Sequence, residues 1–271
     1  MAEPERPGLQ TTRETFTTSD GVRLSYLRRG QPGGRLSILL VPGWSLPASV
    51  WSAQIDALGS SRTVFALDPR GQGESDIPDH GYDISTRARD LHEFAAAHAP
   101  VIVVGWSLAA LETLQAIHLY GSAPFAGVVL VDSSVGEDPA PAPGTPFTDR
   151  LRVEREPALE DFMRAIFRLA RPEAELRGLV DGALCLPLEA SLSLFPTAIP
   201  REHWREIVRA LDRPLLYAVT PQFSEQAFNL RQHRRRTRVE VFHRSGHALF
   251  ADEPDRFNRL LVHFARSIRA D

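Results

Sequence analysis

Val101-Ile102-Val103-Val104-Gly105-Trp106-Ser107-Leu108-Ala109 is a β-branched run that breaks at a glycine and sets a serine between small residues. A hydroxyl becomes an effective nucleophile when a sharp strand-to-helix turn lifts it clear of the sheet, and such a turn admits only small side chains two positions to either side. Gly105 and Ala109 fill those positions, so the stretch reads as a nucleophile elbow with Ser107 at its tip. The competing reading is a buried strand followed by a helix that Ser107 caps through its hydroxyl.

Three further segments favour chemistry. Strand-like Val239-Glu240-Val241-Phe242 leads into Ser245-Gly246-His247, then Glu253-Pro254 and an amphipathic stretch through Phe257, Leu260, Leu261 and Phe264. A histidine therefore sits on a glycine-softened loop after the last strand. Upstream, the strand signal 37–41 runs into Pro42-Gly43-Trp44, a turn whose backbone N–H groups can face a cavity. Between them, Val64-Phe65-Ala66-Leu67 is followed by Asp68-Pro69-Arg70-Gly71-Gln72-Gly73-Glu74-Ser75.

With these segments in this order, the chain resembles the α/β-hydrolase superfamily over nearly its whole length. It departs from the family pattern in two places. Pro42-Gly43 stands where the family often has His-Gly, and Thr220-Pro221-Gln222-Phe223-Ser224-Glu225 has no aspartate after the seventh strand, Phe223 occupying that place.

Strand signals near 15–18, 22–28, 37–41, 63–67, 101–104, 127–131, 215–219 and 238–242 alternate with helical spacing over 50–58, 86–97, 108–120, 225–232 and 254–268. This predicts an α/β-hydrolase fold, a mostly parallel eight-stranded sheet with helices on both faces. Ser19-Asp20-Gly21 is a hairpin signal, so the sheet begins antiparallel. Residues 1–133 and 214–271 form the core. From 134 to 213 the pattern changes: Pro139-Ala140-Pro141-Ala142-Pro143-Gly144 reads as a stiff extended linker, followed by helical segments around 157–170, 173–184, 188–195 and 201–211. We read these as a helical cap, or lid, between strands six and seven. Its Phe162, Ile166, Phe167, Leu184, Leu186, Leu192, Leu194, Phe195 and Trp204 predict, as a set, an apolar pocket, the alternative for each being packing of the cap against itself.

The 271 residues, 43% hydrophobic and 24% charged, suffice for a large core without disulfide or metal. A net charge of −3 leaves no basic footprint for nucleic acid, and Arg234-Arg235-Arg236 reads as a solvated helix end. Every basic residue is arginine, which fits codon bias rather than a function. Cys185, the single cysteine, lies in an apolar segment and reads as a buried core thiol. Met1 to Phe16 has no apolar stretch and no later run reaches membrane-spanning length, so the expectation is a soluble cytoplasmic protein. Its oligomeric state is not legible.

The resemblance implies Ser107 as nucleophile and His247 as its base. The oxyanion donors are then the backbone N–H of Leu108, at the positive end of its helix, and of Trp44, whose indole shapes the acyl pocket. Other histidines compete weakly: His92 and His98 lie on an expected surface helix, and His118, His233 and His243 lack a glycine-hinged loop. For the third member, Asp132 ends the sixth strand, where some similar hydrolases carry their acid; its alternative is a carboxylate that only bonds loop amides. Glu225 is the alternative acid, although a first-turn carboxylate is explained by the helix dipole. Asp68 and Arg70 read as structural.

Haloalkane dehalogenases and epoxide hydrolases of this superfamily carry aspartate at the elbow. Serine implies acyl transfer to water, hydrolysing a small-molecule ester, lactone or thioester without metal or other cofactor. Two alternatives stand beside this: peroxide in place of water, as in the cofactor-free haloperoxidases (perhydrolases) resembled around Gly105 to Ala109 and Val131 to Ser134, and a non-catalytic ligand-binding protein with a degraded triad. Retention of both Ser107 and His247 argues against the last.

Overall fold

The computed structural model describes residues 10–30, 35–140 and 147–268. Its strands are β1 (Thr12–Thr17), β2 (Arg23–Arg29), β3 (Ser37–Val41), β4 (Val64–Leu67), β5 (Val101–Trp106), β6 (Phe125–Val131), β7 (Leu215–Val219) and β8 (Thr237–Val241). They form one sheet in the order β1-β2-β4-β3-β5-β6-β7-β8. β1 and β2 pair antiparallel, as do β2 and β4, and every pairing from β4 through β3 to β8 is parallel. The hairpin turns at Gly21, whose φ of 84° is open to glycine without Cβ strain.

β3, β4, β5 and β7 are almost entirely buried, which is why they read as unbroken apolar runs rather than alternating ones. The helices α1 (Ser52–Gly59), α2 (Ile84–Ala97), α3 (Leu108–Tyr120), α9 (Ser224–His233), α10 (Leu249–Asp252) and α11 (Pro254–Ser267) cover them. α2 packs on α3 and α1 on α11. The Asp83 carboxylate starts α2 by accepting from the Ser85 and Thr86 N–H groups at 3.0 and 2.9 Å. Between β6 and β7 stand α4 (Phe147–Val153), α5 (Arg155–Ala165), α6 (Glu173–Cys185), α7 (Leu188–Ser193) and α8 (Arg201–Ala210).

Several expectations need correction. α4 carries helix where the sequence offers only one residue, Leu151, that becomes buried, too little apolar periodicity to read. Cys185 is exposed: it lies half a turn from the face of α6 that buries Leu176, Leu179, Val180 and Ala183. Arg234 is not a solvated helix end. It is half-buried and donates to the carbonyls of Leu211, at 3.1 Å, and Arg213, bracing the entry to β7, while Arg235 and Arg236 are exposed. His98 is tucked onto Phe65 and Phe94 at 4.4 and 4.6 Å, and His92 against Tyr120 at 5.2 Å; burial lowers both imidazole pKa values. Pro141 to Gly144 of the expected linker fall outside the described residues.

Asp68 and Arg70 hold the turn after β4. Asp68 accepts from the Ala48 N–H at 2.6 Å and from Arg13 at 2.7 Å, and Gly73 is required because a Cβ there would sit 2.0 Å from Asp68 Oδ1. Arg70, fully buried, donates to Asp90 at 2.5 and 2.7 Å and to Asp20 at 2.9 Å, tying the β1–β2 hairpin to α2. Removing one partner of such a pair strands the other charge. Arg70→Met is therefore expected to lower stability by about 3–5 kcal/mol in urea unfolding. A loss under about 1 kcal/mol would mean that Asp90 is not held as a buried charge.

Candidate active site

β5 delivers Ser107 in a conformation an L-residue seldom adopts, with φ 56° and ψ −119°. Its N–H donates to the Val131 carbonyl of β6 at 2.9 Å and its carbonyl accepts from Ala110 N–H at 3.0 Å, so neighbours on both sides hold the strained residue. The hydroxyl makes no helix-capping bond, which removes the capping explanation for this serine. The small residue at 105 has a steric cause: a Cβ on Gly105 would lie 2.5 Å from the Ala109 carbonyl oxygen and 2.8 Å from Thr113 Oγ1.

At the end of β6, Asp132 turns with φ 44° and is 1% exposed. Its Oδ2 faces His247 Nδ1 at 2.8 Å, while Oδ1 accepts from the N–H and hydroxyl of Thr220 at 2.6 and 2.8 Å. The carboxylate is thus fixed by three donors and cannot rotate away from the ring. Beneath it, the buried Tyr217 hydroxyl donates to the Ser133 carbonyl. Burial, reinforced by the charges of Asp132 and Glu137, pushes that phenol well above its ordinary pKa and keeps it a donor.

His247 rides a loop secured on both sides. Gly246 N–H donates to Asp252 Oδ2 at 2.8 Å, and Ala248 N–H to the Ile166 carbonyl at 2.7 Å. The buried Asp252 carboxylate also accepts from the backbone of Arg168 and Leu169 at 2.9 and 3.1 Å, so one side chain joins the histidine loop to the segment after α5. Gly246 permits this approach, since a Cβ there would be 2.9 Å from both Ile166 O and Arg168 N. The Trp106 indole N–H bonds the His247 carbonyl at 3.0 Å, with the two rings 5.3 Å apart. This bridges the histidine to the residue before Ser107; among the described residues no hydrogen bond joins Ser107 Oγ to the ring itself.

The Pro42-Gly43-Trp44 loop passes beside the elbow: a Cβ on Gly43 would stand 3.1 Å from Ser107 Cβ. Among the described residues no hydrogen bond occupies the backbone N–H of Trp44 or of Leu108, the first residue of α3. The Trp44 indole donates to the Ser191 carbonyl of α7 at 2.8 Å and packs against Phe147, Phe162 and Phe195 with centroids 5.4, 5.7 and 5.1 Å away.

Of the residues expected from sequence, Asp132 and His247 are in contact, and Ser107, Trp44 and Leu108 are grouped at the elbow. Glu225 is not brought to them: it is exposed on the first turn of α9 with no described partner, and Phe223 is buried. Among the described residues His247 is the one histidine paired with a carboxylate. Asp252 gave no sequence signal, because two of its three partners are recruited from 84 and 83 positions away.

The chain matches the model of the alpha/beta hydrolase family over residues 38–260. It is 30% identical over 256 residues to a pimeloyl-[acyl-carrier protein] methyl ester esterase of Vibrio atlanticus, spanning 84% of this chain and 94% of that protein. A shorter match, 40% identical over 78 residues and 28% of each chain, is to a non-heme chloroperoxidase of Streptomyces lividans. Among solved structures, an esterase from Exiguobacterium antarcticum superimposes with a TM-score of 0.81 at 20% identity, covering 93% of this chain and 99% of that one. A bromoperoxidase from Bacillus anthracis gives 0.82 at 20%, covering 94% and 100%.

Loss of the Asp252 carboxylate leaves three backbone N–H groups without their acceptor. Asp252→Ala is expected to lower stability by about 3 kcal/mol, read by urea and thermal unfolding. A change below about 1 kcal/mol would show that water replaces those bonds freely.

Proposed function

Because the chain belongs to the alpha/beta hydrolase family, we propose that it is a serine hydrolase that cleaves a small to medium apolar carboxylic ester, lactone or thioester through an acyl-serine. The observation that carries this reading is the 2.8 Å contact between His247 Nδ1 and the thrice-held Asp132 carboxylate, beside a serine in a strained elbow.

In this reading Ser107 Oγ attacks the acyl carbon as His247 Nε2 takes its proton. Asp132 holds the tautomer with Nδ1 protonated and stabilises the imidazolium. The tetrahedral oxyanion forms against the N–H groups of Trp44 and Leu108. Collapse breaks the bond to the leaving group, which receives the proton from His247. Water then attacks the acyl-serine by the same route, giving the carboxylic acid and free Ser107.

Residues 134–213 act as a cap in this proposal, and the ring cluster of Trp44, Phe147, Phe162 and Phe195 favours an apolar acyl group. The Vibrio relative is named for a methyl ester of pimeloyl-[acyl-carrier protein], which supports carboxylic ester cleavage as the type of reaction. Peroxide in place of water is a second reading, favoured by the Streptomyces chloroperoxidase match. It requires a rate of peracid formation from acetate and hydrogen peroxide above that of ester hydrolysis.

With p-nitrophenyl acetate or butyrate as substrate, Ser107→Ala and His247→Ala are expected to abolish turnover with the fold intact, and the double variant to be barely worse than either. Losses that add instead would contradict a shared proton transfer. Asp132→Asn is expected to reduce kcat by on the order of 10³ to 10⁴ with little change in KM, and Glu225→Gln by less than about tenfold. The reverse ranking would move the acid to the segment after β7.

A further inference from the structure

Gln72, in the turn after β4, is 3% exposed and touches no group assigned above to the reaction. Its Nε2 donates to the carbonyls of Gly43 at 3.0 Å and Leu46 at 2.7 Å, both on the loop that carries Trp44. Its Oε1 accepts from Arg87 Nη1 at 3.0 Å. The orientation of this amide follows from chemistry: a guanidinium has only donors, so the oxygen must face Arg87 and the nitrogen must face the two carbonyls. Arg87 is itself buried, donates to the Arg70 carbonyl at 3.4 Å, and lies 3.0 Å from Glu112 Oε1, out of hydrogen-bond alignment but within ion-pair distance. Glu112 belongs to α3, the helix that begins immediately after Ser107. A buried chain thus runs from the nucleophile's helix through Arg87 and Gln72 to the loop beside the nucleophile.

The geometry of a trans peptide gives this chain a consequence. C=O and N–H of one peptide unit point in opposite directions in a common plane. Gly43 C=O and Trp44 N–H are such a unit, and the Gln72 bond to Gly43 O directs the Trp44 N–H away from Gln72. We propose that Gln72 is a positioning residue for the reaction, aiming the Trp44 N–H at the oxyanion by holding the Gly43 carbonyl, with Arg87 and Glu112 locking its amide against a flip. This rests on the serine hydrolase reading and adds to it that the oxyanion donor is set from the turn after β4. A donor fixed in advance stabilises developing charge without reorganisation, whereas a loop peptide free to rotate loses most of that advantage.

Gln72→Glu tests this with almost no change of shape: the new carboxylate still faces Arg87 but presents an acceptor, not a donor, to Gly43 O and Leu46 O. Activity is normalised to active sites counted by exhaustive fluorophosphonate labelling. The expected result is a fall in kcat/KM on the order of 10²-fold, carried by kcat, with an arylboronic acid that forms a tetrahedral adduct losing affinity by a similar factor. Gln72→Met, of similar volume and without a donor, is expected to behave alike and serves if Gln72→Glu does not fold. A lower Tm with kcat per active site and boronate affinity within about threefold of wild type would reduce Gln72 to a structural residue and overturn the proposal. Turnover that survives Ser107→Ala would overturn the serine hydrolase reading itself, and this inference with it, and is distinguished by that single control.

Discussion

A serine held at φ 56° between a buried strand and the first turn of a helix is the constraint on which the site depends. Such a conformation costs about 1–3 kcal/mol and persists only where its surroundings over-determine it. Here they do: β5 is buried along its whole length, Ser107 N–H is bonded to β6, and Gly105 clears the path for the Ala109 carbonyl and Thr113. The same constraint sets the neighbours. In a parallel sheet the carboxyl ends of the strands share an edge, so the loop after β3, the elbow after β5, Asp132 after β6 and His247 after β8 converge without long excursions.

Among the hydrogen bonds that tie the helices between β6 and β7 to this edge, two sets lie beside the site. One is the Trp44 indole on the Ser191 carbonyl; the other is Asp252, with the Ile166 carbonyl, holding the segment after α5 to the backbone on either side of His247. Any displacement of residues 166–169 must break these bonds or carry the histidine loop along. That side of the segment between β6 and β7 is therefore part of the site's frame.

Much of this was legible in the sequence, for reasons that can be named. The sheet announced itself because fully buried parallel strands are uninterrupted β-branched runs, and α11 because Phe257, Leu260, Leu261 and Phe264 repeat at helical spacing. Ser107 and His247 stood out through their glycine-softened surroundings, and Asp132 through its place at a strand end. Other features depend on contacts between distant segments. Asp252, Gln72 and Arg87 are ordinary polar residues until folding brings carbonyls and amides to them. The exposure of Cys185 is not legible because an apolar stretch says nothing about which side of a helix a given residue takes. Arg234 reads as part of a solvated basic run because the carbonyls it braces lie on the far side of β7 and α9, 23 and 21 residues away.

The proposed chemistry requires Ser107 to be an activated nucleophile and not merely a residue in a tight turn. Labelling the intact protein with a fluorophosphonate and mapping the adduct by mass spectrometry tests it most directly. A single stoichiometric adduct on Ser107, formed far more slowly in His247→Ala, is the expected result. An adduct elsewhere, or an inert Ser107 in the folded protein, would contradict it.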